Sequence, residues 1–178
     1  MQENLERKLV EAALGGDIEN FGELCRRYYA VTVAIAYSIL SDHQLAEDAA
    51  QESLAKALVN LKNLKNRTRF APWLAAICRN TAKDMIAARA RHISTEDLSQ
   101  VAQKNNDDEN NRAIRRAIEQ LPNAAKELIV LRYYNNLSYD QIASILGISR
   151  AAVNGRLARA KRKMAKYLKR NGFSESEL

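Results

Sequence analysis

A chain of 178 residues holds one average domain or two small ones, which rules out a large multidomain enzyme. Its 47% hydrophobic and 28% charged residues suit a folded protein, while 6% aromatics, six Gly and two Pro are too few turn formers for a sandwich, a barrel or a Gly-rich nucleotide-binding sheet. The net charge of +7 is unevenly placed: Lys and Arg number 13 against 11 acids in residues 1–92, one against five in 93–111, and 14 against five in 112–178. One-sided charge of that density predicts a polyanion partner, nucleic acid before membrane.

From the N-terminus, Met1 to Val10 mixes acids and bases with no apolar core or cleavage pattern, so no export signal is expected. Phe21, Leu24, Cys25, Tyr28, Val31, Ile35 and Ile39 recur at three- and four-residue intervals and mark one face of a long helix. Its apolar run Ala30 to Leu40 is well short of the ~20 residues that span a bilayer. Leu45, Ala49, Leu54, Leu58 and Leu61 mark a second helix; a third begins near Pro72 and carries Leu74, Ile77, Thr81 and Met85. Between them LKNLKNRTRF, Leu61 to Phe70, interleaves Lys62, Lys65, Arg67 and Arg69 with Asn63 and Asn66, either a solvated loop or a nucleic-acid contact. Trp73 is expected in the core rather than as a stacking platform, given its apolar neighbours.

Residues 93–111, ISTEDLSQVAQKNNDDENN, are polar and acidic without apolar spacing and are expected to form a flexible linker between a first domain, 1–92, and a second, 112–178. The second domain opens with Ile114, Ile118 and Leu121, stops at Pro122 and resumes from Ala124 to about Tyr134. Ser138 followed by Gln141 is a capping-box pattern, Ile142, Ile145 and Leu146 supply a buried face, and Gly147 stands where a helix ends in a left-handed turn. Ser149 then caps a helix to about Leu168, completing a helix-turn-helix candidate in an all-α fold. On a wheel of 100° per residue, Val153, Leu157, Ala160 and Met164 face the core. Opposite them lie Ala151, Gly155, Ala158, Arg159, Arg162 and Lys166, small near the start and basic further on, with no acid interleaved for i,i+4 pairing. Small side chains let the backbone approach a groove wall, and arginines reach guanine edges or phosphates.

These segments together resemble the two-domain, extracytoplasmic function group of sigma factors of bacterial RNA polymerase. DHQLAEDAAQESLAKAL, Asp42 to Leu58, is similar to that family's polymerase-binding helix; WLAAICRNTAKD, Trp73 to Asp84, to its next helix; and AIEQLPNAAKELIVLRYYNNLSYDQIASILGISRAAVNGRLARAKRKM, Ala117 to Met164, to its C-terminal domain. The resemblance implies a factor that binds core polymerase, through the β′ clamp helices and the β flap, recognises a −35 element with its second domain, and recognises and opens a −10 element with its first. It places Asp48, Gln51 and Glu52 at the clamp contact and Lys62, Asn63, Lys65, Asn66, Arg67 and Arg69 where the family captures a flipped base of the non-template strand. It places Arg150, Ala151, Asn154, Gly155, Ala158, Arg159, Arg162 and Lys166 at the −35 element. The family commonly has a polar or basic residue where Asn154 stands and Ser where Gly155 stands, so the −35 sequence is the least transferable part. The resemblance further implies a separate anti-sigma protein, a cytoplasmic location, at the nucleoid in holoenzyme or held at the membrane by the regulator, no cofactor and no active site of the chain's own.

Two other classes compete. One is an autonomous helix-turn-helix regulator whose first domain dimerises or binds a ligand. A nucleic-acid-processing enzyme would need clustered acids or His, but Glu47, Asp48 and Glu52 are the only dense acids of the folded first domain, and Lys56 can pair with Glu52. Cys25 and Cys78 stand far apart, with only His43 and His92 as nitrogen ligands, so no metal site is expected and both cysteines are read as reduced core residues.

Overall fold

A computed structural model describes residues 2–92 and 109–173, and every regular element among them is helical. The N-terminal half comprises α1 (Gln2–Leu14), α2 (Ile18–Leu40), α3 (His43–Asn60) and α4 (Phe70–His92), with 3-10 turns at Leu61–Asn63 and Arg67–Arg69 between the last two. The C-terminal half comprises α5 (Glu109–Glu119), α6 (Asn123–Ile129) running into a π turn at Val130–Tyr134, α7 (Tyr139–Leu146) and α8 (Arg150–Arg170). Residues 93–108 of the acidic linker lie outside the described residues, and α5 already takes in positions 109–111. None of the described helices is long and apolar enough to cross a membrane.

Caps explain most boundaries. Asp17 accepts from the backbone N–H groups of Glu19 and Asn20 at the start of α2, and Asp42 accepts from Leu45 at the start of α3. Those donors hold the Asp17 carboxyl below its ordinary range, Asn20 contributing most. In α2 the predicted face is buried at Phe21, Leu24, Val31 and Ile35. Of the expected face of α3 and its end, Ala49, Leu54 and Leu61 are buried while Leu58 stays 40% exposed, and Ala46, Ala50, Ser53 and Ala57 line the interior as well. Small side chains let α3 lie close against α2 and α4, and that close approach leaves Leu58 outside.

Helix α1, which carries no strong signal in the sequence, packs across α2 through Leu9 and Val10, and Tyr28 donates a hydrogen bond to the Glu6 carboxylate. These residues join Phe21, Leu24, Leu54, Leu61, Leu64, Phe70 and Leu74 in one apolar cluster. A second cluster is shared by the two halves: Val31, Ala34, Ile35, Ala71, Ala75 and Cys78 meet Leu128, Leu131, Ile142, Ile145, Val153 and Leu157. Cys78 is buried there and Cys25 half-buried, both with free thiols, and burial pushes the Cys78 thiol up to about 11.

Candidate nucleic-acid interface

The helix-turn-helix is built as its sequence dictates. Ser138 and Gln141 form a reciprocal capping box at the start of α7, Gly147 ends that helix at φ 65°, and Ile148 donates back to the carbonyl of Ala143. Ser149 Oγ then accepts from Ala152 to open α8. Val153, Leu157 and Ala160 are buried and Met164 packs beside them. Arg150, Ala151, Asn154, Ala158, Arg159, Arg162 and Lys166 are exposed, and the position of a Cβ on Gly155 has nothing within 4 Å.

The cations of α8 are not equivalent. Arg150 pairs with Asp140 of α7 at 3.1 Å across an exposed gap, a weak bond that a phosphate could replace. Arg159, together with Arg156 and Lys163, rims a shallow groove of about 320 Å³ whose apolar wall includes Leu121, Pro122 and Leu128. Arg156 and Lys163 are missing from the sequence-derived set because they lie to one side of the outward arc; the packing of α8 against α6 turns that side toward the same edge as Arg159.

A second cationic surface lies between α3 and α4. Leu61 and Leu64 are buried and anchor the loop, leaving Lys62, Asn63, Lys65, Asn66, Arg67 and Arg69 all exposed. Asn66 fixes the second turn by accepting from the Thr68 backbone at 3.0 Å and its hydroxyl at 2.7 Å. Arg67 approaches Glu11 of α1 at 3.7 Å, and Arg7 donates to the same carboxylate at 2.9 Å. The hydrogen bond from Arg7 is the main reason that the Glu11 carboxyl sits below its usual range, with Arg67 adding to it.

Beside the loop a cavity of about 370 Å³ is lined by Lys56, Asn60, Asn63, Trp73, Ile77, Asn80, Thr81 and Asp84. Trp73 packs on Phe70 with ring centroids 5.9 Å apart, as expected of a core residue, and another part of it lines the cavity. Lys56 bonds Glu52 at 2.7 Å and the Thr81 hydroxyl at 3.2 Å, so it joins the acidic face of α3 to the cavity. On that face Asp48, Gln51 and Glu52 are all exposed. Asn60, Asn80 and Asp84 escaped the sequence reading because they are isolated polar residues on two helices, and only the packing of α3 on α4 gathers them. Among the described residues, no three His, Cys, Asp or Glu side chains are placed to hold a metal ion.

Residues 24–92 match the Sigma-70 region 2 family and residues 111–164 the Sigma-70 region 4 family. The chain is 34% identical over 169 residues to a probable RNA polymerase sigma factor, RfaY, of Xanthomonas campestris pv. campestris; that match takes in 88% of this chain but only 42% of the longer relative. It is 27% identical over 184 residues to the extracytoplasmic function sigma factor SigW of Bacillus subtilis, covering 94% of this chain and 98% of that one. In fold it is similar to the sigma factor RpoE solved in complex with the anti-sigma factor NepR from Bartonella quintana, with a TM-score of 0.57 and 25% identity over 85% of this chain and 98% of that one. With both regions present at the residues that form the two cationic surfaces, the chain belongs to the extracytoplasmic function sigma factors of bacterial RNA polymerase.

Proposed function

We propose that this sigma factor, which directs core RNA polymerase to specific promoters, divides the work between its two halves. The outward face of α8 enters the major groove of the −35 element, Gly155 and Ala158 letting the helix seat closely while Arg159 reads a base and Arg162 and Lys166 hold phosphates. The loop from Lys62 to Arg69 guides the non-template strand at the −10 element, and a base flipped from the stack enters the cavity beside Trp73, where Asn60, Asn80 and Asp84 offer polar edges to read it. Asp48, Gln51 and Glu52 on α3 face the polymerase clamp.

The observation that carries this reading is the cavity: a site several hundred cubic ångströms in size, with an aromatic wall and mixed amide and carboxylate lining, opens directly beside a row of exposed cations. Polar side chains there can pair with a base edge, and the adjacent Lys and Arg can hold its backbone. The natural inhibitor would be a separate anti-sigma protein covering these surfaces. In vitro transcription with core polymerase, with and without the chain, tests the assignment. Aligned start sites preceded by two common elements are expected, and tight specific promoter binding by the chain without core polymerase would favour an autonomous regulator instead.

A further inference from the structure

The cavity between α3 and α4 is lined by two facing stripes. Trp73, Ile77, Asn80, Thr81 and Asp84 fall on one side of α4 by the 3.6-residue period, and Lys56 and Asn60, about one turn apart, bring α3 opposite them. On the α3 side the polar groups are already engaged. Lys56 Nζ donates to Glu52 and to the Thr81 hydroxyl, the Asn60 amide donates to the carbonyl of Lys56 at 2.8 Å, and Asn63 donates to Asn60 Oδ1 at 3.3 Å. The α4 side differs: among the described residues, the side chains of Asn80 and Asp84 have no hydrogen-bond or ion-pair partner, and both are exposed.

Among the described lining residues Asp84 is the only carboxylate, and it stands in a cavity that opens beside the exposed cations of the loop. An acid so placed repels a phosphate backbone, and that cost is offset only where the acid accepts a hydrogen bond. Phosphates have none to donate, whereas base edges do. The four bases differ in what they donate. Cytosine and adenine present an exocyclic amine next to a ring-nitrogen acceptor, and guanine presents its amine and N1–H next to O6. Each matches an acceptor, Asp84, set one helical turn from an amide donor, Asn80, with Cβ atoms roughly 5–6 Å apart as i,i+4 neighbours. Thymine carries no amine. Its one donor on that edge, N3–H, is flanked by O2 and O4, and both carbonyls would turn toward the Asp84 oxygens.

We infer that the cavity selects an amino-bearing base and rejects thymine, with Asp84 as the specificity-determining residue and Asn80 as the donor beside it. The inference rests on the assignment of a flipped −10 base to this cavity. Run-off transcription by core polymerase with the chain, on templates carrying each base at each non-template position of the −10 element, tests it. At one position wild type should use its preferred base, cytosine, guanine or adenine, at least about tenfold better than thymine, and the order of the three identifies the base. The analogue lacking only the amine, 2-pyrimidinone, hypoxanthine or unsubstituted purine respectively, should lose at least about fivefold there. Asp84→Asn, whose amide donates to thymine O4 while accepting from N3–H, should bring thymine within about threefold at that position and leave the other positions as they are. Asp84→Ala should lower use of the amino-bearing bases without raising thymine, and circular dichroism checks that both variants keep their helix content. A −10 profile that neither variant alters, or a wild-type preference for thymine at the position they alter, overturns the inference. Asn80→Trp, which fills the cavity from an exposed position, separates this from failure of the underlying assignment. If it lowers permanganate reactivity of −10 thymines while the Asp84 variants keep the wild-type profile, the cavity holds a base that Asp84 does not choose. If all three variants melt and read the element as wild type does, the cavity takes no base and both readings fall.

Discussion

The two cationic surfaces are made in different ways. That of α8 is continuous: one helix, one face, each residue placed by the 3.6-residue period from a single Ser149 cap. That beside α4 is assembled from the end of α3, a loop pinned by Leu61 and Leu64, and the middle of α4, so that Lys56, Asn63 and Asn80 line one cavity although they are far apart in the chain. A continuous surface tolerates the loss of one member, because its neighbours keep their positions. An assembled one depends on packing, and a change in any contributing element shifts the rest.

The strongest way to break that contrast is to remove what both surfaces need. Asp48→Lys with Glu52→Lys should cut co-purification with core polymerase by at least about tenfold, silencing both surfaces although neither α8 nor the loop is touched. Because Glu52 holds Lys56 at the cavity edge, Asp48→Lys alone should keep promoter melting per bound complex normal while weakening the complex. Unchanged retention on immobilised core enzyme by the double variant removes α3 from the polymerase interface.

The next largest effect separates the surfaces. Replacing Lys65, Arg67 and Arg69 with Ala should lower permanganate reactivity of −10 thymines while keeping −35 protection, and three lost backbone contacts should flatten the log-log salt dependence by about 2. Arg67 is also bonded to Glu11, so Glu11→Gln should reproduce a fraction of the loss if α1 positions the loop. Melting at the wild-type rate in the triple variant would reduce the loop to solvated structure.

The contrast also accounts for what was legible in the sequence. In α7 and α8, capping residues, a turn glycine and a clean period all agreed, and the structure follows them to within two residues at the end of α8. In α3 the expected Ala49, Leu54 and Leu61 are buried, but Ala46 and Ala50 also line the interior, and their small size carries almost no periodic signal. Helix α1 was missed because its buried residues, Leu9 and Val10, are neighbours rather than a stripe. Gln51, Lys65 and Arg159 could be named from the chain alone, whereas Asn80 and Asp84 could not: a polar residue in mid-helix says nothing of the cavity until the partner helix is placed. Nor does the sequence announce that Glu127, one acid among many bases, is buried against Arg79.

Within α8 the distinction between reading and gripping can be sharpened at Arg159. Arg159→Ala on a panel of single-base −35 variants should relax preference at one or two positions by about 1–3 kcal/mol, roughly 5- to 150-fold, if the guanidinium donates to guanine O6 and N7. Its place at the edge of the groove beside Arg156 and Lys163 also suits a phosphate. An equal loss on every variant means that Arg159 grips the backbone, and base reading then falls to Ala151 and Asn154 nearer the start of the helix.

The smallest effect tests the idea that absent side chains matter on a continuous surface. A glycine in mid-helix costs roughly 1 kcal/mol relative to alanine, and at Gly155 nothing in the chain requires one, because a Cβ there would meet open space. Gly155→Ala should therefore stabilise the protein, raising its melting temperature by about 2–4 °C for a chain of this size. If α8 seats its backbone against a groove wall at this point, the same methyl holds the helix away, and promoter affinity should fall although stability rises. Opposite signs in the two measurements would assign the glycine to DNA approach. A gain in both would mean that residue 155 faces solvent in the complex, and that the small part of the outward face begins and ends at Ala151 and Ala158.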